Sequence, residues 1–99
     1  MITEIAILKV KSNSINQFEI NFREASKIIS CIDGYINHEL LKCIEEENKY
    51  VLIVKWEKIE DHTIGFRKSE EYKKWKELLH YFYDPFPTVE HYESINLKT

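Results

Sequence analysis

Tyr50–Trp56 reads YVLIVKW. β-branched and aromatic residues dominate it, and apolar side chains fall on both faces of the alternation, the signature of a strand buried on two sides. Directly after it the pattern changes. Residues 57–82 run EKIEDHTIGFRKSEEYKKWKELLHYF, in which apolar residues recur three or four apart, as on a helix face.

Upstream, Ile2–Val10 (ITEIAILKV) also alternates: Ile2, Ala6, Leu8 and Val10 share one face, with Ile5 and Ile7 opposite. Ile15, Phe18, Phe22, Ala25 and Ile29 then form a helical stripe. Ser14 and Gln17 have the spacing of a capping box, so the helix is expected to start at Ser14 and run to about Ser30. Asp33-Gly34 supplies the turn. Tyr35–Ile44 reads as a second strand, and the charged EEENK stretch as the loop into Tyr50–Trp56.

Beyond Trp56 a short helix is predicted from about Ile59 to Phe66. A longer one is capped by Ser69, with Glu70 and Glu71 in its first turn and the stripe Tyr72, Trp75, Leu79 and Phe82. Pro85 and Pro87 end it, and Thr88–Leu97 reads as the last strand. The order β-α-β-β-α-α-β is an α+β fold with the split βαβ pattern of a ferredoxin-like sheet. Helices cover one face of such a sheet. The apolar residues on the other face predict a second copy packed against it, a homodimer joined through its sheet faces.

The chain has 99 residues, 43% of them apolar, which predicts one domain over residues 1–99. A net charge of −3, with no basic cluster clear of acids, argues against a nucleic-acid partner. No apolar run approaches a membrane span, and MITEIAILKV lacks the layout of a signal peptide. The expectation is a cytoplasmic protein, with Cys31 and Cys43 reduced and serving as packing residues rather than a disulfide. His38, His62, His80 and His91 show no metal-ligand spacing, which gives a metal site little support. Gly34 and Gly65 stand alone, so no glycine-rich phosphate loop exists.

Trp75 reads as core. Trp56 ends a strand, and His62 and Phe66 lie four apart on one face of the short helix. The three either line one apolar cavity with a single titratable group, or fill a seam with His62 at its rim.

The stretch VLIVKWEKIEDHTIGFRKSEEYKKWKELLHYF followed by VEHYE resembles the antibiotic-biosynthesis monooxygenase family, the dimeric α+β barrels. The resemblance is most specific from Tyr50 to Glu93, where W-E-x-x-E-D-H-x-x-G-F-R-x-S-x-x-Y-x-x-W stands nearly uninterrupted. It implies a homodimer and, as in several members, oxidation of quinol or polyphenol substrates by molecular oxygen with no cofactor. His62 would then take the substrate proton, Lys76 or Arg67 would hold the anion, and Trp56 and Phe66 would stack the ring. Leu52 stands where some oxygen-using members carry Asn. The haem-degrading branch's Asn, Trp and His fall on Ile5 or Ile7, Phe66 and Lys76, which argues against haem degradation. Two other readings stay open: a non-catalytic dimer that binds a small aromatic ligand, and a structural or regulatory dimer with a filled interior.

Overall fold

The computed structural model describes residues 1–98. Strand β1 (Ile2–Lys9) leads into helix α1 (Ile15–Ile29), followed by β2 (Tyr35–Lys42) and β3 (Lys49–Trp56). A π-helical turn (Asp61–Phe66), helix α2 (Glu70–Leu79), a 3-10 turn (His80–Phe82) and β4 (Val89–Tyr92) complete the order. The sheet is four-stranded in the order β2-β3-β1-β4, and each neighbouring pair is antiparallel. This is the expected ferredoxin-like arrangement.

The period-two alternation of β1 and β3 decides which residues the helices cover. Ala6, Leu8, Tyr50, Leu52, Val54 and Trp56 point inward and are buried. They meet Phe18, Phe22, Ala25 and Ile29 of α1 and Trp75 and Leu79 of α2 in one apolar core. Phe18 stands at its centre, its ring 5.0 Å from Tyr50 and 5.9 Å from Phe82. Burying such side chains contributes about 1.5–3 kcal/mol each.

Helix α1 keeps its expected bounds, but one cap and two strands differ from expectation. Ser14 makes no capping bond; its hydroxyl donates to Asn13 Oδ1 at 3.1 Å. Gln17 instead donates to Asn21 at 2.8 Å, and Asn21 donates to the Leu78 carbonyl at 2.9 Å. The glutamine of the supposed box therefore braces the contact between the two helices. Strand β2 stops at Lys42, not Ile44, and β4 spans only Val89–Tyr92 rather than Thr88–Leu97. β4 pairs with Thr3–Ala6 of β1, so beyond Tyr92 almost no β1 backbone remains to pair with.

Other sequence signals hold. Ser69 accepts the Tyr72 N–H at 3.1 Å and caps α2. Gly34 has φ +86°, and a Cβ there would lie 2.1 Å from the Asp61 carboxyl, so the turn requires glycine. That close approach seats the π-helical turn against the end of α1.

Candidate functional site

On β1, Glu4 shares the inward face with Ala6 and Leu8 and is only 5% exposed. Its register partners are Val54 on β3 and His91 on β4. A charged residue in this position needs partners, and the fold provides them. The Trp56 indole N–H donates to Glu4 Oε1 at 2.9 Å. His62, carried by the π-helical turn, stacks on Trp56 with ring centres 5.5 Å apart and planes 18° from parallel. His62 Nε2 lies 3.5 Å from Glu4 Oε1, and its Nδ1 lies 2.8 Å from His91 Nε2. The turn places this ring through wide-ring backbone bonding: the Arg67 N–H reaches back five residues to the His62 carbonyl at 3.2 Å.

Beside this cluster, between the sheet and α2, lies a cavity of about 340 Å³. Ala6, Leu8 and Leu52 form its floor, and Phe66, Tyr72 and Trp75 its wall. Phe66 meets Tyr72 and Trp75 edge-on, at 5.1 and 5.4 Å. Arg67, His80, Tyr83 and Phe86 contribute to the lining as well, together with Glu4 and His62. The space suits a small aromatic molecule: apolar and aromatic walls with few polar groups.

Burial pushes the Glu4 carboxyl up to about 6, against the opposing pull of the Trp56 hydrogen bond and the Arg67 charge. Burial also drives His62 down to about 3, helped by the charges of Arg67 and His91. His91 is lowered by burial and then by Arg67. At neutral pH both rings are therefore neutral, and burial brings the Glu4 carboxyl on the cavity wall toward neutrality.

Of the six residues singled out in the sequence, Leu52, His62, Phe66 and Arg67 all line the cavity. Trp56 is fully buried behind His62; it backs the site and holds Glu4 rather than facing the space. Lys76 is exposed, its Nζ 5.4 Å from the Tyr72 ring centre, and it is outside the cavity lining. The cause is helical phase: Trp75 and Leu79 are buried and Tyr72 half-buried on the inward face, so position 76 points away. The expected roles of Lys76 as anion holder and His62 as a base titrating near neutrality do not fit this geometry. Ile5 and Ile7 lie on the opposite sheet face, and Glu4, Ala6 and Leu8 are the β1 residues that face the cavity.

Sequence reasoning missed Glu4 and His91. The signal for Glu4 was present, because strict alternation puts it between Ile2 and Ala6 on the inward face. For His91 only its alternation with Val89 pointed inward.

The profile of the antibiotic biosynthesis monooxygenase family matches residues 1–78. The uncharacterized protein YczJ of Bacillus subtilis (strain 168) is 55% identical over 95 residues, which is 96% of this chain and 100% of that protein. An antibiotic biosynthesis monooxygenase-type crystal structure from Bordetella bronchiseptica superposes with a TM-score of 0.90 at 27% identity, covering 96% of this chain and 97% of the other. SnoaB, a cofactor-independent oxygenase from Streptomyces nogalater, shares the fold with a TM-score of 0.76 at 19% identity, over 99% of this chain and 94% of its own. With its fold and the greater part of its length matched in this way, the chain belongs to the antibiotic biosynthesis monooxygenase family.

Proposed function

We propose that this protein is a cofactor-independent monooxygenase of the cytoplasm, acting as a homodimer on a small quinol- or polyphenol-type aromatic. The observation that carries the reading is a buried carboxyl, Glu4, on the wall of an aromatic-sided cavity of about 340 Å³. The substrate ring lies against Phe66 and Trp75, with one hydroxyl directed at Glu4. With its carboxyl raised to about 6, Glu4 is mostly ionised at pH 7 yet basic enough to accept that proton. Arg67, lining the same space, holds the resulting anion. The electron-rich anion then reduces oxygen directly. One oxygen atom enters the ring, and the two hydrogens it displaces leave with the other as water.

SnoaB's description as a cofactor-independent oxygenase on the same fold supports this reading. The homodimer is supported by Ile7 and Leu41, 50% and 46% exposed on the uncovered sheet face. Haem is not the proposed substrate. A second reading, a non-catalytic dimer that binds the same class of aromatic, is favoured by Leu52 on the cavity floor, which offers no donor to an oxygenated intermediate.

An oxygen electrode with a panel of benzo- and naphthohydroquinones separates the two. The oxygenase consumes one oxygen per substrate above the autoxidation rate and releases no hydrogen peroxide. If no member of the panel is oxidised but several raise the melting temperature, the ligand-binding dimer replaces it.

A further inference from the structure

Residue His91 lies beyond the stretch that the family profile matches, on the edge strand β4, and among the described residues it is the one side chain hydrogen-bonded to His62. We propose that His62 and His91 form a proton relay that connects Glu4 on the cavity wall with solvent at the β4 edge. Its use in turnover rests on the oxygenase reading above; its existence does not.

The fold builds the three groups into a line. Glu4 and His91 are cross-strand partners, and His62 touches both from above, at 3.5 Å from Glu4 Oε1 and 2.8 Å from His91 Nε2. Glu4 and His62 are 5% and 3% exposed, whereas His91 is only half-buried, so the line runs from closed interior to surface. A bound aromatic fills the cavity, and this second way out is then the one left for a proton.

The surrounding charges suit such a path. The groups facing Glu4 are Trp56 from β3, His62 and Arg67 from the π-helical turn and its end, His91 from β4 and Tyr83 from the segment after the 3-10 turn. Burial, then Tyr72 and Glu4, keep the Tyr83 hydroxyl protonated. Arg67 disfavours a second cation on either ring. Each neutral imidazole then carries one N–H and one lone pair, which is what a relay requires.

At 3.5 Å the gap between His62 Nε2 and Glu4 exceeds a hydrogen bond, in keeping with a lone pair there and an Nδ1–H donated to His91. One transfer moves three protons in step: from protonated Glu4 to His62 Nε2, from His62 Nδ1 to His91 Nε2, and from His91 Nδ1 to water. Both rings end in the opposite tautomer. The reverse transfer, which returns a proton for the release of water from the oxygenated product, restores them.

The test needs no turnover, so its outcome is separate from that of the oxygenase reading. In protein labelled with nitrogen-15 at histidine, NMR measures exchange of the His62 ring N–H with water and the ring-nitrogen shifts across the pH range. Replacing His91→Phe keeps a ring and removes the relay. Exchange at His62 then slows by about tenfold or more, while His38 in the same sample is unchanged. Unchanged or faster exchange at His62 overturns the relay. Glu4→Gln provides the second measurement: it removes an inflection near pH 6 shared by His62 and His91. If the two rings titrate independently and ignore Glu4→Gln, the connection to the cavity is refuted.

Discussion

The two faces of the sheet invert the usual rule. The inner face, under the helices, holds a carboxyl and an imidazole, Glu4 and His62, each buried. The outer face exposes Ile7 by 50% and Leu41 by 46%, with Ile5, Val51 and Ile53 beside them. The two anomalies meet in β1, where Ile5 and Ile7 take outward positions and the charged Glu4 an inward one beside Ala6 and Leu8. Shifting β1 by one residue would bury Ile5 and Ile7 and expose Glu4, but it would also turn the buried Ala6 and Leu8 out to water and Lys9 inward. The observed register keeps Ala6 and Leu8 in the core, and leaves a desolvated acid on the inner face and wetted isoleucine on the outer one. The proposed partner on one side and the proposed chemistry on the other would account for the two together.

The largest expected effect lies on the outer face. Ile53 pairs with Ile5 on one side and Glu39 on the other, at the middle of the apolar strip. Ile53→Asp places a charge where the proposed second copy would pack, at a cost of roughly 3–5 kcal/mol when the charge is unpaired. Sedimentation equilibrium at micromolar concentration should find the wild type at twice 12.0 kDa and the variant at the monomer mass. A wild-type monomer would remove the proposed partner and leave the outer face unexplained.

A smaller effect, of opposite sign, belongs to the inner face. The Glu4 carboxyl is raised from its ordinary 4.5 to about 6, so the fold favours its protonated form. That preference stabilises fully below pH 4.5 and is lost as pH rises through 6, a loss of about 2 kcal/mol. His62, lowered from 6.5 to about 3, favours its neutral form. Its contribution is complete above pH 6.5 and is lost as pH falls toward 3. Between pH 4.5 and 6 the two run in opposite directions, so wild-type stability is expected to be nearly flat there. Glu4→Gln retains an acceptor for Trp56 and removes one side of the balance. Urea midpoints should show it more stable than wild type by about 2 kcal/mol at pH 8, then falling by about 1.4 kcal/mol per pH unit below 6.5. A parallel offset at every pH would mean that Glu4 is not the titrating group.

These two faces also mark what was legible in the sequence. Period two in Ile2–Val10 and Tyr50–Trp56, and the switch to helical spacing after each, carried the element order and the ferredoxin-like class, because burial selects side chains by face. Strand ends were not legible: β4 stops at Tyr92 where β1 runs out, a fact about its neighbour rather than its own residues. The helix cap failed because Gln17 found a better partner in Asn21. In the site, His62, Phe66 and Leu52 could be placed from spacing and resemblance. Glu4 looked like an interruption of an apolar run, and its meaning depends on Trp56, 52 positions away. Contacts so distant in sequence leave no local period.

The smallest effect separates two cations that sequence reasoning treated as equivalent, Arg67 and Lys76. Arg67 lines the cavity, and its charge lowers Glu4, His62 and His91 together. Lys76, on the outward side of α2, lowers only His80. Both side chains are exposed, so water screens them and each influence is modest. In a histidine NMR titration, Arg67→Ala should therefore move the inflection that Glu4 imposes on His62 and His91 to higher pH and leave His80 in place. Lys76→Ala should do the reverse: raise His80 alone, with stability changed by less than about 0.5 kcal/mol. An alkaline displacement of the Glu4 inflection in Lys76→Ala would return Lys76 to the site, and would require α2 to rotate from the phase in which Tyr72, Trp75 and Leu79 face the core.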